Sequence, residues 1–286
     1  MSALFAVLLA AETVLVVPPS RKGEAPPAAG LAVAEAIIDV VVQTNQDRFF
    51  TLQQLAGELD RRNLLLDDPA MPAHALELAR ALGATEVVEG EVWLQEGRWR
   101  VEARRKRVAD GQQIGVAREE GARGALPMLA YKAGLDLFPV HLAPGPLTGS
   151  AAALEQAALC ELQLMGQPLR VGLDFTLPAD RLAAAQRACR AALQSDSRMG
   201  LARAGWALTL AARGRFIAAR KQAKRAREKR FVPLAALVEA YAAEGMGDRA
   251  GARGALAEAV DAQPGFLQAR SYLAAPGMVQ ADPASP

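Results

Sequence analysis

Residues 151–274 repeat themselves, and this repeat constrains the fold more than any other feature of the 286-residue chain. Apolar residues and glycines recur 33 residues apart, as in the pairs Leu201 and Leu234, Leu208 and Tyr241, Gly214 and Gly247, and Ala219 and Ala252. Aromatic residues make up only 5% of the chain, so alanine and leucine must supply most contacts between elements. Such a period is typical of stacked helical hairpins, and the second half is predicted to be all-α.

The repeat predicts two complete helical hairpins, at residues 198–231 and 232–264. An earlier hairpin is split by the long segment 166–180, which separates a helix at 152–165 from one at 181–194. Each hairpin leaves an apolar edge that only a neighbouring hairpin covers, so the units are expected to stack.

In its period and its small residues, the segment 151–274 resembles the tetratricopeptide (TPR) repeat, with a last helix at 266–273 capping the stack. The resemblance implies a solenoid whose first helices form a concave face that binds a protein or peptide partner. The residues expected on that face are Arg203, Trp206, Thr209, Leu210 and Glu239. Trp206 has two interpretations: an exposed binding hot spot, or an indole that fills space between hairpins.

The segment Arg213–Arg230 concentrates positive charge, with nine basic residues and one acidic residue. On a helix with a buried alanine stripe, the outward basic patch is predicted to be Arg220, Lys221, Lys224, Arg225 and Arg227. An acidic protein or an anionic surface would be attracted to this patch, while the alternative is a solvated outer face. Nucleic acid is disfavoured, because the net charge is only +2 and no aromatic ladder accompanies the patch.

Three segments of the first half alternate apolar and polar residues and are joined by tight turns. They are residues 85–95, 98–108 and 112–119. Because Asp110-Gly111 is a strong hairpin signal, the three are predicted to form an antiparallel meander. A buried strand is expected at 13–17, a short strand at Phe49-Phe50 and an exposed loop at 20–29. Helices are expected near residues 31–44, 52–62, 73–82 and 125–138.

The Pro- and Gly-rich segment 139–150 is predicted to be a linker between a domain at 12–138 and the helices at 151–274. The order of elements, the motif Leu82-Gly83-Ala84 and the strand 87–92 (VVEGEV) resemble the TolB-like amino-terminal domain. That resemblance implies a non-catalytic α/β module. The fold class is therefore predicted as α+β, with a TolB-like domain containing the meander and a TPR-like solenoid.

The apolar segment 1–11 is too short to span a bilayer and is interpreted as a short signal peptide, which predicts a periplasmic protein. If it is instead the first element of the fold, the protein is expected in the cytoplasm. The tail, 275–286, is expected to be flexible. Cys160 and Cys189 are interpreted as small buried residues on helices, and the alternative is a disulfide in an oxidising compartment.

The two histidines, His74 and His141, belong to no nucleophile or metal motif, and no catalytic residue, metal or cofactor is predicted. The predicted function is a non-enzymatic interaction or scaffold protein of the bacterial cell envelope, binding its partner on the concave face. The alternative is a cytoplasmic regulatory module whose basic faces bind nucleic acid or an acidic protein.

Overall fold

The computed structural model of the chain describes residues 12–44, 48–66, 68, 71–139, 145–165 and 177–275. The predicted signal segment, His141 and all of the predicted tail except Ala275 lie outside these residues. Within the described ranges, every helix is too short or too polar to cross a membrane.

In the described residues of the first half, six strands form one mixed sheet. The strands are β1 (Thr13–Val16), β2 (Ser20–Gly23), β3 (Arg48–Phe49), β4 (Glu86–Gln95), β5 (Arg98–Arg107) and β6 (Gln113–Ala122). They are ordered β3-β1-β4-β5-β6, and β2 also pairs with β4. The pairs on the β1 side of β4 are parallel, whereas β4, β5 and β6 are antiparallel.

The predicted meander is therefore correct only as one side of a larger sheet. β1 pairs with the start of β4, where Val14 lies opposite Glu86, and β2 pairs with the end of β4, where Ser20 lies opposite Glu91. The prediction of a loop over 20–29 is wrong for β2, a polar strand whose pairing partner lies about 70 residues further along the chain. The sequence SRKG carries no alternating apolar pattern, so the strand has no local signal.

Among the residues described up to 139, four α-helices accompany the sheet, and one of them is almost completely buried. They are α1 (Ala29–Thr44), α2 (Leu52–Asp60), α3 (Met71–Leu82) and α4 (Leu126–Leu137). α1 packs against α4, which lies on β5 and β6. The two helices approach closely at Gly134, where a Cβ atom would lie 2.8 Å from a methyl group of Val40. In α1, all residues from Ala29 to Val42 except Glu35 are buried.

Within residues 151–165 and 177–275, the second half forms three helical hairpins and a short last helix. The helices are α5 (Ala151–Leu164), α6 (Ala179–Ser195), α7 (Gly200–Ala211), α8 (Phe216–Arg227), α9 (Pro233–Gly245), α10 (Arg249–Ala262) and α11 (Leu267–Leu273). The turns of the second and third hairpins share the same hydrogen bonds 33 residues apart. Gly214 N–H donates to the carbonyl of Ala211 and Gly247 N–H to that of Glu244, both at 2.8 Å.

Both glycines have a positive φ, 70° and 76°, which a side chain would strain. The predicted repeat is thus present as helical hairpins. Its assignment to the tetratricopeptide class stays a prediction, as do the domain boundaries.

Cys160 of α5 and Cys189 of α6 form a disulfide, with their Cα atoms 5.1 Å apart. Both residues are buried, as the first interpretation expected, and they are also bonded, as the alternative proposed. Gly205 of α7 lies directly against them, because a Cβ atom at this position would be 2.7 Å from the sulfur of Cys160. The disulfide therefore connects the two helices of the first hairpin and forms part of the surface on which the next hairpin packs.

The two halves contact each other through polar and aromatic side chains. Phe49 of β3 pairs with Phe266 in an isolated parallel bridge, and their rings stack with centroids 5.6 Å apart. Gln263 donates to the carbonyl of Val42 at 2.6 Å, which joins the end of α10 to α1. We call this contact region, from α1 and β3 to the helical half, the seam.

Candidate functional site

The first helices of the hairpins, α5, α7 and α9, face α1 across the seam. Glu35 and Ile38 of α1 line a cavity of about 40 Å³ whose lining also includes Leu201 of α7 and Leu237 of α9. All ten residues of α9 from 234 to 243 are buried. First helices in an open solenoid would keep one face in solvent, whereas here α1 lies across the part of α7 and α9 that carries Leu201 and Leu237.

None of the five residues predicted for partner binding lines this cavity. They are Arg203, Trp206, Thr209, Leu210 and Glu239. Thr209, Leu210 and Glu239 are buried. Arg203 is half-buried and donates to Gln222 of α8 at 3.1 Å and to the carbonyl of Ser197. Their role in partner binding stays a prediction.

Trp206 lies between two hairpins. The guanidinium carbon of Arg190, on α6, lies 5.8 Å from the centre of the indole ring. The indole nitrogen is buried and has no hydrogen-bond partner among the described residues. This position fits the interpretation in which the indole fills space between hairpins.

α8 buries one stripe and exposes positive charge on its other sides. Ala219, Ala223 and Ala226 are buried, as their spacing predicts. Lys221 and Arg225 are exposed, and no side-chain partner is found for either within the described part of the chain. These two charges are not neutralised by folding.

The other three residues of the predicted basic patch pair with acidic residues of later helices. Arg220 lies 3.0 Å from Asp248, and Arg227 lies 3.0 Å from Glu239. Lys224 is 3.6 Å from Glu239, although its side chain is largely exposed. Part of the predicted patch therefore holds α8 against the third hairpin, and only part is available to another molecule.

A second group of basic residues, on β5, is mostly neutralised within the sheet. Arg104 pairs with Glu102 on the same strand, and Lys106 pairs with Glu89 on β4. Burial raises the pKa of Glu102, but hydrogen bonds from Arg104 and Arg118 outweigh it and hold the pKa below its usual range. This group is therefore a weaker candidate for binding than α8.

A cleft of about 450 Å³ lies where α8 ends and α7 begins. Its charged lining residues are Arg198, Arg203, Arg225, Glu228, Lys229 and Arg230. We call it the basic cleft. The basic segment predicted from the sequence includes Lys229 and Arg230 without a role for either, and Arg198 was not predicted as a site residue. The sequence feature that could have indicated Arg198 is its position as the first residue of the predicted repeat unit 198–231.

Acidic residues that lie at least partly buried form a different group at the seam, and none of them was predicted as a site residue. Asp39 of α1 pairs with Arg230, and burial raises the pKa of Asp39 to about 7 although Arg230 lowers it. Glu35 of α1 interacts with Glu161 of α5, and burial raises the pKa values of both, that of Glu161 to about 7. The sequence feature that could have indicated this group is the presence of Glu35 and Asp39, four positions apart, in the largely apolar helix α1.

Catalytic or metal chemistry finds little support among the described residues. They include no group of three or more His, Cys, Asp and Glu side chains that would hold a metal ion. His74 is exposed and lies 3.8 Å from Glu77, on the surface of α3.

Comparisons with known proteins give weak likenesses to solved structures. No protein-family model matches the chain, and no curated protein sequence matches it. Among solved structures, it is similar to the LpoB C-terminal domain from Salmonella enterica, with 17% identity and a TM-score of 0.33 over 41% of this chain and 87% of that one. The LpoB C-terminal domain from Escherichia coli gives 17% identity and a TM-score of 0.32 over 39% and 82%. A likeness at this level carries no argument about function.

Proposed function

We propose that this chain is a non-enzymatic protein-binding module whose helical half binds an acidic partner through the exposed cations of α8. The observation that carries the proposal is the distribution of unpaired charge. Folding neutralises most basic residues of β5 and three of the five on α8, but it leaves Lys221 and Arg225 exposed without a partner among the described residues. Unpaired charges of one sign attract and orient a partner of the opposite sign.

The coverage of the first helices by α1 also supports this choice of surface. A partner that used the first-helix face would first have to separate the two halves of the molecule. The outer face of α8 needs no such separation, because it is already exposed.

We also propose that the protein works in an oxidising compartment, the bacterial periplasm. The disulfide between Cys160 and Cys189 supports this location, because disulfides persist in oxidising compartments and are rare in the reducing cytoplasm. The mass of the mature protein tests it. Loss of an amino-terminal segment together with an oxidised cysteine pair is expected, and an intact Met1 with two free thiols would contradict it.

The binding proposal is tested by capture from a nuclease-treated bacterial envelope extract on the immobilised full chain. The variant Lys221→Glu/Arg225→Glu is expected to lose the captured acidic protein. The matched control Arg48→Glu/Arg98→Glu makes the same change of charge at exposed residues of the first half and is expected to keep it. Equal capture by both variants, or no capture by the unmodified chain, would contradict the proposal.

A further inference from the structure

We infer that the basic cleft is the point at which an acidic segment of the partner inserts its carboxylates. The inference rests on the proposed function and deepens it, because it distinguishes a concave site from the convex outer face of α8. It assigns direct contacts with the partner to three side chains, Arg198, Arg225 and Lys229.

The cleft is built by the close approach of two helices. A Cβ atom on Gly200, the first residue of α7, would lie 2.7 Å from the carbonyl oxygen of Ala226 near the end of α8. This contact places Arg198, in the turn before α7, beside the last turn of α8 and the segment that follows it. Residues far apart in the sequence thus line one concavity, with Arg225 and Lys229 contributed by α8 and its end.

The charges in the cleft fall into two groups. Arg203 and Arg230 are held in place, Arg203 by the uncharged acceptors Gln222 and Ser197, and Arg230 by Asp39 and by the carbonyl of Gly145. They fix the walls, and Arg203 keeps its full positive charge.

The second group is free to bind. The side chains of Arg198, Arg225 and Lys229 have no partner within the described part of the chain. Glu228 is the one acidic residue among those that line the cleft. Three unpaired cations around a concave space are suited to charge-assisted hydrogen bonds with carboxylates, and arginine binds a carboxylate through two parallel N–H donors.

The shape and the remaining lining favour a protein segment over a nucleic acid. The apolar residues that line the cleft are aliphatic, Leu147, Ala226 and Val232, so it offers no ring on which a base would stack. A volume of about 450 Å³ accommodates a few side chains of an extended peptide.

The test measures binding of a fluorescent hexaglutamate peptide to the full chain by anisotropy at near-physiological salt. The variant Arg198→Ala/Arg225→Ala/Lys229→Ala is expected to bind at least tenfold more weakly. The control Arg48→Ala/Arg98→Ala/Lys132→Ala also removes three exposed cations, all in the first half of the chain, and is expected to weaken binding less than threefold. The same far-ultraviolet circular dichroism and melting temperature in all three proteins shows that folding is unchanged.

The conservative variant Arg198→Lys/Arg225→Lys/Lys229→Arg separates charge from shape and is expected to retain most of the binding. Equal weakening by the cleft variant and the control would overturn the inference. It would show that the peptide is attracted by the overall positive charge and does not bind at the basic cleft. Tighter binding of a single-stranded oligonucleotide, lost in the cleft variant, would also overturn it. If the cleft variant still captures the acidic protein from the envelope extract, the inference fails and the proposed function stands. If the unmodified chain binds neither probe, both fail.

Discussion

The two faces of the helical half differ in what covers them, although both arise from one repeat. The first helices α7 and α9 are buried on nearly all sides, because neighbouring helices of the repeat pack on them and α1 lies opposite Leu201 and Leu237. α8 buries only a stripe of three alanines and exposes charge elsewhere. A repeat predicts the hairpins themselves, but a segment outside the repeat decides which face remains free to bind.

The largest expected effect on the free energy of unfolding comes from removing a buried aromatic ring at the seam. Replacing Phe266 by alanine removes a fully buried ring that stacks on Phe49, and we expect a loss of about 3–5 kcal/mol in the free energy of unfolding. Urea unfolding measures it. Ile217→Ala on α8 is the control: its side chain is 79% exposed, and a change within about 0.5 kcal/mol is expected. Similar losses for both variants would mean that the seam is not packed as described.

The disulfide allows a second comparison, because it ties a first helix to a second helix. Cys160 and Cys189 are 29 residues apart, and closing a loop of that size stabilises a protein by about 3–4 kcal/mol in the chain-entropy model. A reducing agent should therefore lower the urea midpoint of the unmodified chain. The Cys160→Ser/Cys189→Ser variant should start from the lower midpoint and not respond. If the reducing agent does not change the urea midpoint of the unmodified chain, the disulfide between Cys160 and Cys189 is contradicted.

The acidic residues of the seam should make stability depend on pH. The folded-state pKa of Glu161 is raised from 4.5 to about 7, so the folded chain holds a proton that the unfolded chain releases. Its contribution is fully present below about pH 4.5 and is lost as the pH rises through 7. We expect Glu161→Gln to be more stable than the unmodified chain at pH 8, by on the order of 1–3 kcal/mol.

The measurement is the free energy of unfolding of both proteins from pH 4.5 to 8, in which the difference should grow across this range. Glu258→Gln on the exposed side of α10 serves as the control and should follow the unmodified chain at every pH. Parallel curves for Glu161→Gln and the unmodified chain would show that the carboxyl of Glu161 is not desolvated at the seam.

The smallest effect is expected on the open face. Lys221→Glu/Arg225→Glu changes two exposed side chains, and the free energy of unfolding should stay within about 0.5 kcal/mol of the unmodified value. Thermal and urea unfolding check this. A large loss would show that these cations support the fold, and it would remove the contrast between the two faces.

Local patterns were enough to predict most elements of the structure. The hairpin turns follow from glycines 33 residues apart, and β4, β5 and β6 follow from alternation and two tight turns. The buried stripe of α8 follows from alanines at helical spacing.

The rest depends on contacts between distant parts of the sequence. Asp39 and Arg230 are 191 residues apart, and Val42 and Gln263 are 221 apart. No pattern within one helix indicates such a partner, so the coverage of the first helices by α1 was not predictable. The basic cleft was missed for the same reason, because Arg198 and Lys229 belong to different elements and only folding brings them together.

The pairing of Phe49 with Phe266 has a consequence for the order of events during synthesis. Phe49 leaves the ribosome 217 residues before Phe266. At roughly 5–20 residues per second, this interval lasts about 10–40 seconds. Throughout it, Phe49 of β3 lacks the residue on which its ring stacks, and the apolar side of α1 lacks the helices that later pack near it. A nascent chain released before residue 266 would therefore expose apolar side chains of α1 and β3 that are prone to aggregate. Chaperones have the longest opportunity to act on this first half of the molecule.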